Sequence, residues 1–252
     1  MQPHTDSSPF LSVIIPAFNE QDRIPPTLEN TLAYLSGQNY SSEIVVVSDG
    51  SKDNTARVAQ SFQPSERVSI QVLEYHPNRG KGYAVRYGML RGRGRVVMFM
   101  DADYAVPMEY CKGGLAKIDR GFDIAIASRA IEGAEIRQHQ NLFRKLSAKI
   151  YTAIQNIYLG IHFPDTQCGF KFFTRRSAQC LFSLQKLDSV IFDPEILWLA
   201  RKKGFRVGQF PVQWRHVADS RIQYDNLRKS LFVFRELFRI KQLHRGSGTL
   251  QR

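Results

Sequence analysis

The chain has 252 residues, 43% of them hydrophobic, and its 35 Lys+Arg against 23 Asp+Glu leave a formal net charge of +12 at pH 7. That length fits one large α/β domain, or one with a small appendage, and the positive balance calls for anionic partners: phosphates, nucleic acid or an acidic membrane surface. No apolar run approaches the ~20 residues of a membrane span, residues 1–9 lack an apolar signal core, and the scattered Cys111, Cys168 and Cys180 favour free thiols over a disulfide framework.

In chain order, residues 11–16 predict a first strand, ended by Pro16, which has no N–H for a ladder. Ala17-Phe18-Asn19-Glu20 follow as a loop at its carboxyl end. Pro25-Pro26 open a helix carrying Leu28, Leu32 and Leu35 at helical spacing. Residues 43–48 predict a second strand, closed by Asp49-Gly50-Ser51, and Asp53-Asn54-Thr55 supply cap chemistry for a helix to Phe62. A third strand over 68–73 leads to the basic glycine loop Asn78-Arg79-Gly80-Lys81-Gly82 and a helix to about Leu90.

Residues 95–100 form a bulky apolar run, the pattern of a strand buried on both faces, and Asp101-Ala102-Asp103 follow at once. A helix from Pro107 to Asp119, a strand over 123–128 ending at Arg129, and a long amphipathic helix from Leu142 to Ile157 come next. Then come a strand over 168–174, a helix capped by Asp193-Pro194, a late strand over 206–214, and a last helix over 226–242. The tail from His244 carries no pattern and is expected to be disordered. Strict alternation of strand and helix implies a mostly parallel, Rossmann-like sheet with right-handed crossovers and helices on both faces. The expected organisation is one domain over 10–225, with a nucleotide-binding half (10–105) and an acceptor-side half (106–225), followed by a basic amphipathic helix (226–243) and the tail (244–252).

The acids at the strand ends are the chemical signal. In parallel α/β sheets, ligands sit beyond the carboxyl ends of the strands. Glu20, Asp49, Asp101 and Asp103 all fall there, and clustered carboxylates repel unless a cation or hydroxyls lie between them. Asp101 and Asp103 offer hard oxygens for Mg²⁺ or Mn²⁺. Each acid alone reads as a turn or cap residue; four on one edge suggest a nucleotide-sugar site. No Gly-x-Gly-x-x-Gly follows the first strand, Gly80-Lys81 lacks the rest of a P-loop, and neither His-Glu-x-x-His nor Gly-x-Ser-x-Gly occurs.

Taken together, Val13-Ile14-Ile15-Pro16-Ala17-Phe18-Asn19-Glu20, Val47-Ser48-Asp49-Gly50-Ser51-Lys52-Asp53-Asn54-Thr55, Asn78-Arg79-Gly80-Lys81-Gly82 and Asp101-Ala102-Asp103 resemble the family 2 inverting glycosyltransferases of the GT-A fold. Asp165-Thr166-Gln167-Cys168-Gly169-Phe170-Lys171-Phe172-Phe173 and Phe192-Asp193-Pro194-Glu195-Ile196-Leu197 resemble dolichyl-phosphate β-glucosyltransferases and, more loosely, dolichyl-phosphate mannose synthases.

The resemblance implies that Asp49 holds the base, that Glu20 with Pro16, Ala17 and Asn19 holds the nucleoside, and that Lys81 joins the donor site. Asp101, Ala102 and Asp103 would hold metal and diphosphate. Arg129 would meet an acceptor phosphate, with Arg144 and Ser147 beside it; Asp165 would lie by the reacting sugar, and Arg221 would close over the diphosphate. The expected reaction moves a hexose, glucose from UDP-glucose, onto a polyprenyl phosphate; GDP-mannose as donor or a soluble glycan as acceptor are the alternatives. Tyr83 and Tyr104 depart from the family pattern beside the sugar pocket. Leu227, Leu231, Phe234 and Phe238 line one face of the last helix among Arg228, Lys229, Arg235, Arg239 and Lys241, a pattern that suits either an anionic membrane surface or packing on the domain. The expected location is cytoplasmic and peripheral, on the cytoplasmic face of a membrane. A sugar nucleotidyltransferase and a nucleic-acid binder are the rival readings; no nucleic-acid motif occurs, so no nucleic-acid partner is expected.

Overall fold

The structure is a computed structural model that describes residues 8–136, 142–215 and 227–245. The first half gives β1 (Leu11–Ala17), α1 (Ile24–Ser36), β2 (Ser42–Asp49), α2 (Thr55–Gln60), β3 (Val68–Tyr75), α3 (Lys81–Met89) and β4 (Val96–Met100). The second gives α4 (Cys111–Asp119), β5 (Ile124–Ser128), β6 (Glu135–Ile136), α5 (Leu142–Leu159), β7 (Phe170–Thr174), α6 (Arg175–Leu184), α7 (Phe192–Lys202), β8 (Val207–Pro211), β9 (Gln213–Trp214) and α8 (Leu227–Leu243).

The main sheet has the order β3-β2-β1-β4-β7-β5-β8. All its pairings are parallel except those of β7, which runs antiparallel between β4 and β5. Strands from both halves of the chain therefore share one sheet. β1, β2, β4 and β5 are buried at every position, as their continuous apolar runs require. Alternation along each strand divides the core. Val13, Ile15, Val46, Met98 and Phe172 face α1 and α4; Ile14, Val45, Val47, Phe99 and Phe173 face α3, α6 and α7. A short parallel ribbon, β6 with β9, stands apart.

Several expectations need correction. β1 passes through Pro16 to Ala17. Its pairing with β4 stops at Ile14↔Phe99, so by Pro16 it has a neighbour on one side only, and a missing N–H is tolerated in that edge-like position. α6 was not anticipated. Its signals are Thr174, whose side chain accepts a hydrogen bond from Ser177 N, and the buried stripe Ala178, Leu181 and Phe182. Asp193 is not a cap; it lies inside α7, and its carboxylate goes to Lys171. Pro107 precedes a 3₁₀ turn, Met108–Tyr110, before α4 begins.

The last helix packs on the domain by one face and leaves another exposed. Val233, Leu237 and Ile240 enter the core with Phe234 against it, while Leu231 and Phe238 stay exposed. His244, expected in a disordered tail, is nearly buried against α7.

Candidate active site

Antiparallel insertion of β7 assembles the site. The amino end of β7 lies at the carboxyl ends of β4 and β5, so residues 165–169 enter the edge that already holds Asp101 and Arg129. Asp101 N donates to Gly169 O at 3.1 Å. A methyl group added at Gly169 would run into the Asp101 carboxylate, so only glycine leaves the carboxylate room.

The loops after β1 and β2 are tied together. Asn19, in a left-handed conformation (φ 52°), donates its N–H to Ser51 Oγ at 3.1 Å and accepts Lys52 N on its side chain at 2.7 Å. Glu20 donates its N–H to Thr55 Oγ1, and its carboxylate, nearly buried, is held by Arg23 Nε and Nη2. Pro16 and Ala17 form the end of β1 beneath this loop. Asp53 accepts Thr55 N and Oγ1, which nails down the start of α2 and, with Gln21 N, holds its carboxyl below the usual carboxylate range against the opposing effect of burial.

Asp49 is 3% exposed and organises the glycine loop. Its carboxylate accepts Arg79 N at 2.7 Å, Gly80 N at 2.9 Å and Asn78 Nδ2 at 2.9 Å. Burial, reinforced by Asp49, pushes the Tyr75 hydroxyl pKa above its usual value. The guanidinium of Arg79 stacks on Tyr83 at 3.6 Å, and Tyr83 packs with Tyr75 and Tyr87, so the departure at Tyr83 serves an aromatic cluster beside the loop.

The loop delivers Lys81 to the acidic pair: Nζ lies 2.6 Å from Asp101 Oδ1. Burial alone would lower the lysine pKa, but Asp101, Asp193 and Asp103 outweigh it and hold the ammonium protonated. Asp103 accepts Ala105 N at 3.1 Å; burial and the neighbouring Asp101 raise its carboxyl pKa. Between them, Ala102 O accepts Thr27 Oγ1 at 2.7 Å, which fixes the turn from α1. Tyr104 adopts φ 55° and accepts Met108 N on its hydroxyl.

Arg129 and Asp165 form a bidentate ion pair, Nε–Oδ2 2.7 Å and Nη2–Oδ1 2.9 Å, and Asp165 also accepts Arg129 N and Gln167 N. Burial would raise the Asp165 pKa; the Arg129 charge and hydrogen bonds more than reverse this. Trp214 lies 5.6 Å from the guanidinium. Arg221 lies outside the described residues, as do the side chains of Arg144 and Ser147.

A second buried pair escaped the sequence reading. Lys171 Nζ lies 2.5 Å from Asp193 Oδ1 and 2.7 Å from Cys168 O, and is 1% exposed. The available signal was a lone lysine inside the apolar strand Phe170–Thr174.

The expected gathering of four acids around one cation is not the arrangement found. Glu20, Asp49, Asp101 and Asp103 share an edge, but Glu20 is neutralised by Arg23 and Asp49 by loop N–H groups. Among the described residues, no three His, Cys, Asp or Glu side chains converge as a metal cage. Asp101 and Asp103 still fit a divalent ion: two hard carboxylates, one cradled by a glycine, with the other coordination positions left to phosphate oxygens and water, as Mg²⁺ prefers.

A mostly parallel sheet with an acidic pair and flanking cations at its ligand edge is the architecture of a GT-A glycosyltransferase. Solved structures agree on the fold. Mannosyl-3-phosphoglycerate synthase from Rubrobacter xylanophilus superposes with a TM-score of 0.67 at 20% identity, over 97% of this chain and 76% of that one. Glucosyl-3-phosphoglycerate synthase from Mycobacterium tuberculosis, solved with Mn²⁺, UDP-glucose and phosphoglyceric acid, gives 0.67 at 17% identity, over 96% and 81%.

The chain belongs to glycosyl transferase family 2, whose profile matches residues 12–182. Among curated proteins, it is similar to a dolichyl-phosphate β-glucosyltransferase of Trichomonas vaginalis (35% identical, 88% of this chain and 69% of the relative). It is also similar to those of Drosophila melanogaster (36%; 87% and 72%) and Saccharomyces cerevisiae (32%; 86% and 70%). Of the readings open from the sequence, the family selects the glycosyltransferase.

Proposed function

We propose that this chain transfers glucose from UDP-glucose to a polyprenyl phosphate of the dolichyl class, with inversion at the anomeric carbon. The observation that carries the reading is a strand-end acidic pair engaged by Lys81, with the Arg129–Asp165 ion pair on the same sheet edge, in a chain whose relatives are dolichyl-phosphate glucosyltransferases.

The chemistry follows from the acceptor. A phosphate monoester has its second pKa near ~6, so it is mostly ionised at neutral pH and needs no general base to attack. The protein then has two tasks: to hold the phosphate in line behind the anomeric carbon, and to stabilise the departing nucleoside diphosphate. Arg129, at the end of β5, is the acceptor-side cation. Asp165 grips it from behind through both carboxylate oxygens, so Asp165 is a positioning residue for the guanidinium rather than a base. Lys81 faces the diphosphate from the glycine loop. Mg²⁺ or Mn²⁺ held by Asp101 and Asp103 would supply further positive charge to the leaving diphosphate. Pro16, Ala17, Asn19, Glu20 and Asp49 shape the nucleoside side of the edge, Asp49 by holding the Asn78–Gly80 loop.

An anionic lipid surface suits the acceptor and the outer face of α5 and α8. Tyr158 donates its hydroxyl to Phe238 O, which joins the two helices, and Ile150, Ile157, Leu231, Phe232 and Phe238 are exposed along them beside Lys149, Arg235 and Arg239. Among the described residues, no helix is long and apolar enough to cross a membrane. Apolar side chains within a basic rim are the composition of an interfacial helix.

Purified protein with Mg²⁺, a short polyprenyl phosphate and either UDP-glucose or GDP-mannose tests the reading. The expected product is a β-glucosyl polyprenyl phosphate, formed from UDP-glucose, abolished by EDTA and restored by Mn²⁺. Transfer only to sugar hydroxyls, or only from GDP-mannose, would overturn the acceptor or the donor assignment respectively.

A further inference from the structure

Glu195 is a fully buried carboxylate that the reaction does not use. Burying a carboxylate is costly unless it is hydrogen-bonded, and its partners lie on two distant segments. Oε1 accepts Lys186 N at 2.8 Å, Oε2 accepts Leu187 N at 2.9 Å, and Oε1 lies 2.6 Å from His244 Nε2. A carboxylate only accepts, so the His244 ring donates. The His244 side chain is 5% exposed, and its ring sits 5.2 Å from Trp198. It follows Ile240 by four residues, on the α8 face that packs into the core.

The strap that Glu195 holds, residues 185–191, presses on the glycine loop from the other side. A Cβ at Gly80 would lie 2.5 Å from Asp188 O; one at Gly82 would lie 2.6 Å from Leu187 O and 2.7 Å from Ser189 O. Gln185 Nε2 donates to Gly82 O at 2.9 Å, and Tyr83 N donates to Asp188 O. Arg86, on α3, reaches both Gln185 O and Asp188 Oδ1 at 2.9 Å. The front of the same loop bonds Asp49 and presents Lys81 to Asp101. With no side chain on either glycine to absorb a shift, any movement of the strap moves the loop.

We propose that Glu195 and His244 are positioning residues for the donor site: His244 at the end of α8 holds Glu195, Glu195 holds the strap, and the strap sets the glycine loop. The inference rests on the reading of that loop as part of the donor site.

The test compares wild type with His244→Ala, His244→Gln and Glu195→Gln, measuring UDP–Mn²⁺ affinity by calorimetry, hydrogen–deuterium exchange at residues 78–82 and 186–188, and Tm. His244→Ala should weaken UDP binding roughly fivefold, the low end of couplings between linked sites, and speed exchange in both segments. His244→Gln, whose side-chain amide can replace the Nε2–H donor, should restore both. Glu195→Gln, which turns an amide NH₂ donor toward a group that itself donates, should loosen the same segments. If His244→Ala lowers Tm but leaves UDP affinity and exchange at 78–82 unchanged, the residue is merely structural and the proposal fails. If wild type itself does not bind UDP, the donor reading fails, and the exchange data still decide whether His244 positions the loop.

Discussion

Asp165 grips Arg129 with both carboxylate oxygens while also accepting the arginine's own backbone N–H. A guanidinium held at two points, on a backbone fixed at a third, has little freedom, and lysine cannot reproduce the fork. Arg129→Lys should therefore lower kcat by about 100-fold, the scale of losing one preorganised donor, while the KM for the nucleotide sugar changes little. Steady-state kinetics with varied donor checks it; a normal kcat would remove Arg129 from the acceptor side.

The same pair makes a pH prediction. Asp165 has its pKa lowered in the folded chain, so its contribution to stability is complete above the unfolded value near ~3.9 and is lost as pH falls through the folded one. Asp165→Asn leaves a largely buried guanidinium without its counter-ion and should cost about 3 kcal/mol. The Tm difference from wild type should be constant from pH 8 to 5 and shrink below about pH 4. A gap that closes near neutrality would point to some other group.

Gly169→Ala tests the cradle of the acidic pair. The new methyl group must push the Asp101 carboxylate aside. A displacement of about 1 Å can cost about 100-fold in rate, so turnover should collapse while circular dichroism shows the fold retained. Wild-type activity would mean that Asp101 need not stand where it does.

Lys171 and Asp193 should behave as a buried pair. Removing either partner leaves an uncompensated charge and should cost about 3–5 kcal/mol, whereas Lys171→Met with Asp193→Leu should recover much of the loss. Denaturant unfolding of the two single variants and the double variant measures the coupling; additive losses would mean that the two side chains do not interact.

Ile157 is 83% exposed and Leu231 69% exposed, so replacing both with Asp should leave Tm nearly unchanged. If this face meets lipid, sedimentation with phosphatidylserine vesicles should fall by roughly tenfold or more, since apolar burial and basic charge act together there. Unaltered vesicle binding would place the membrane contact elsewhere.

Much of the architecture was legible because it is local. Continuous apolar runs marked β1, β2 and β4, and residue types at their carboxyl ends marked Glu20, Asp49 and Asp101. What escaped was the use of each group. Asp49 binds three donors of the Asn78–Gly80 loop, contacts that its strand-end position does not announce because they come from residues about 30 positions away. The apolar residues of α8 form two stripes, and only its packing against α5 and α7 decides which is buried.

Period and turn chemistry act between neighbours in the chain, so the sequence alone determined the alternating strands and helices, the parallel character of the first half, and the edge on which the strand-end acids collect. The antiparallel entry of β7 between β4 and β5 belongs to the tertiary structure, and with it the meeting of Gly169 with Asp101 and of Asp165 with Arg129. So do the contacts of Lys171 with Asp193 and of Glu195 with His244. These partners lie far apart along the chain, and nothing in their local residue pattern pairs them; they meet because the packed sheet and helices leave each buried charge one place to be neutralised.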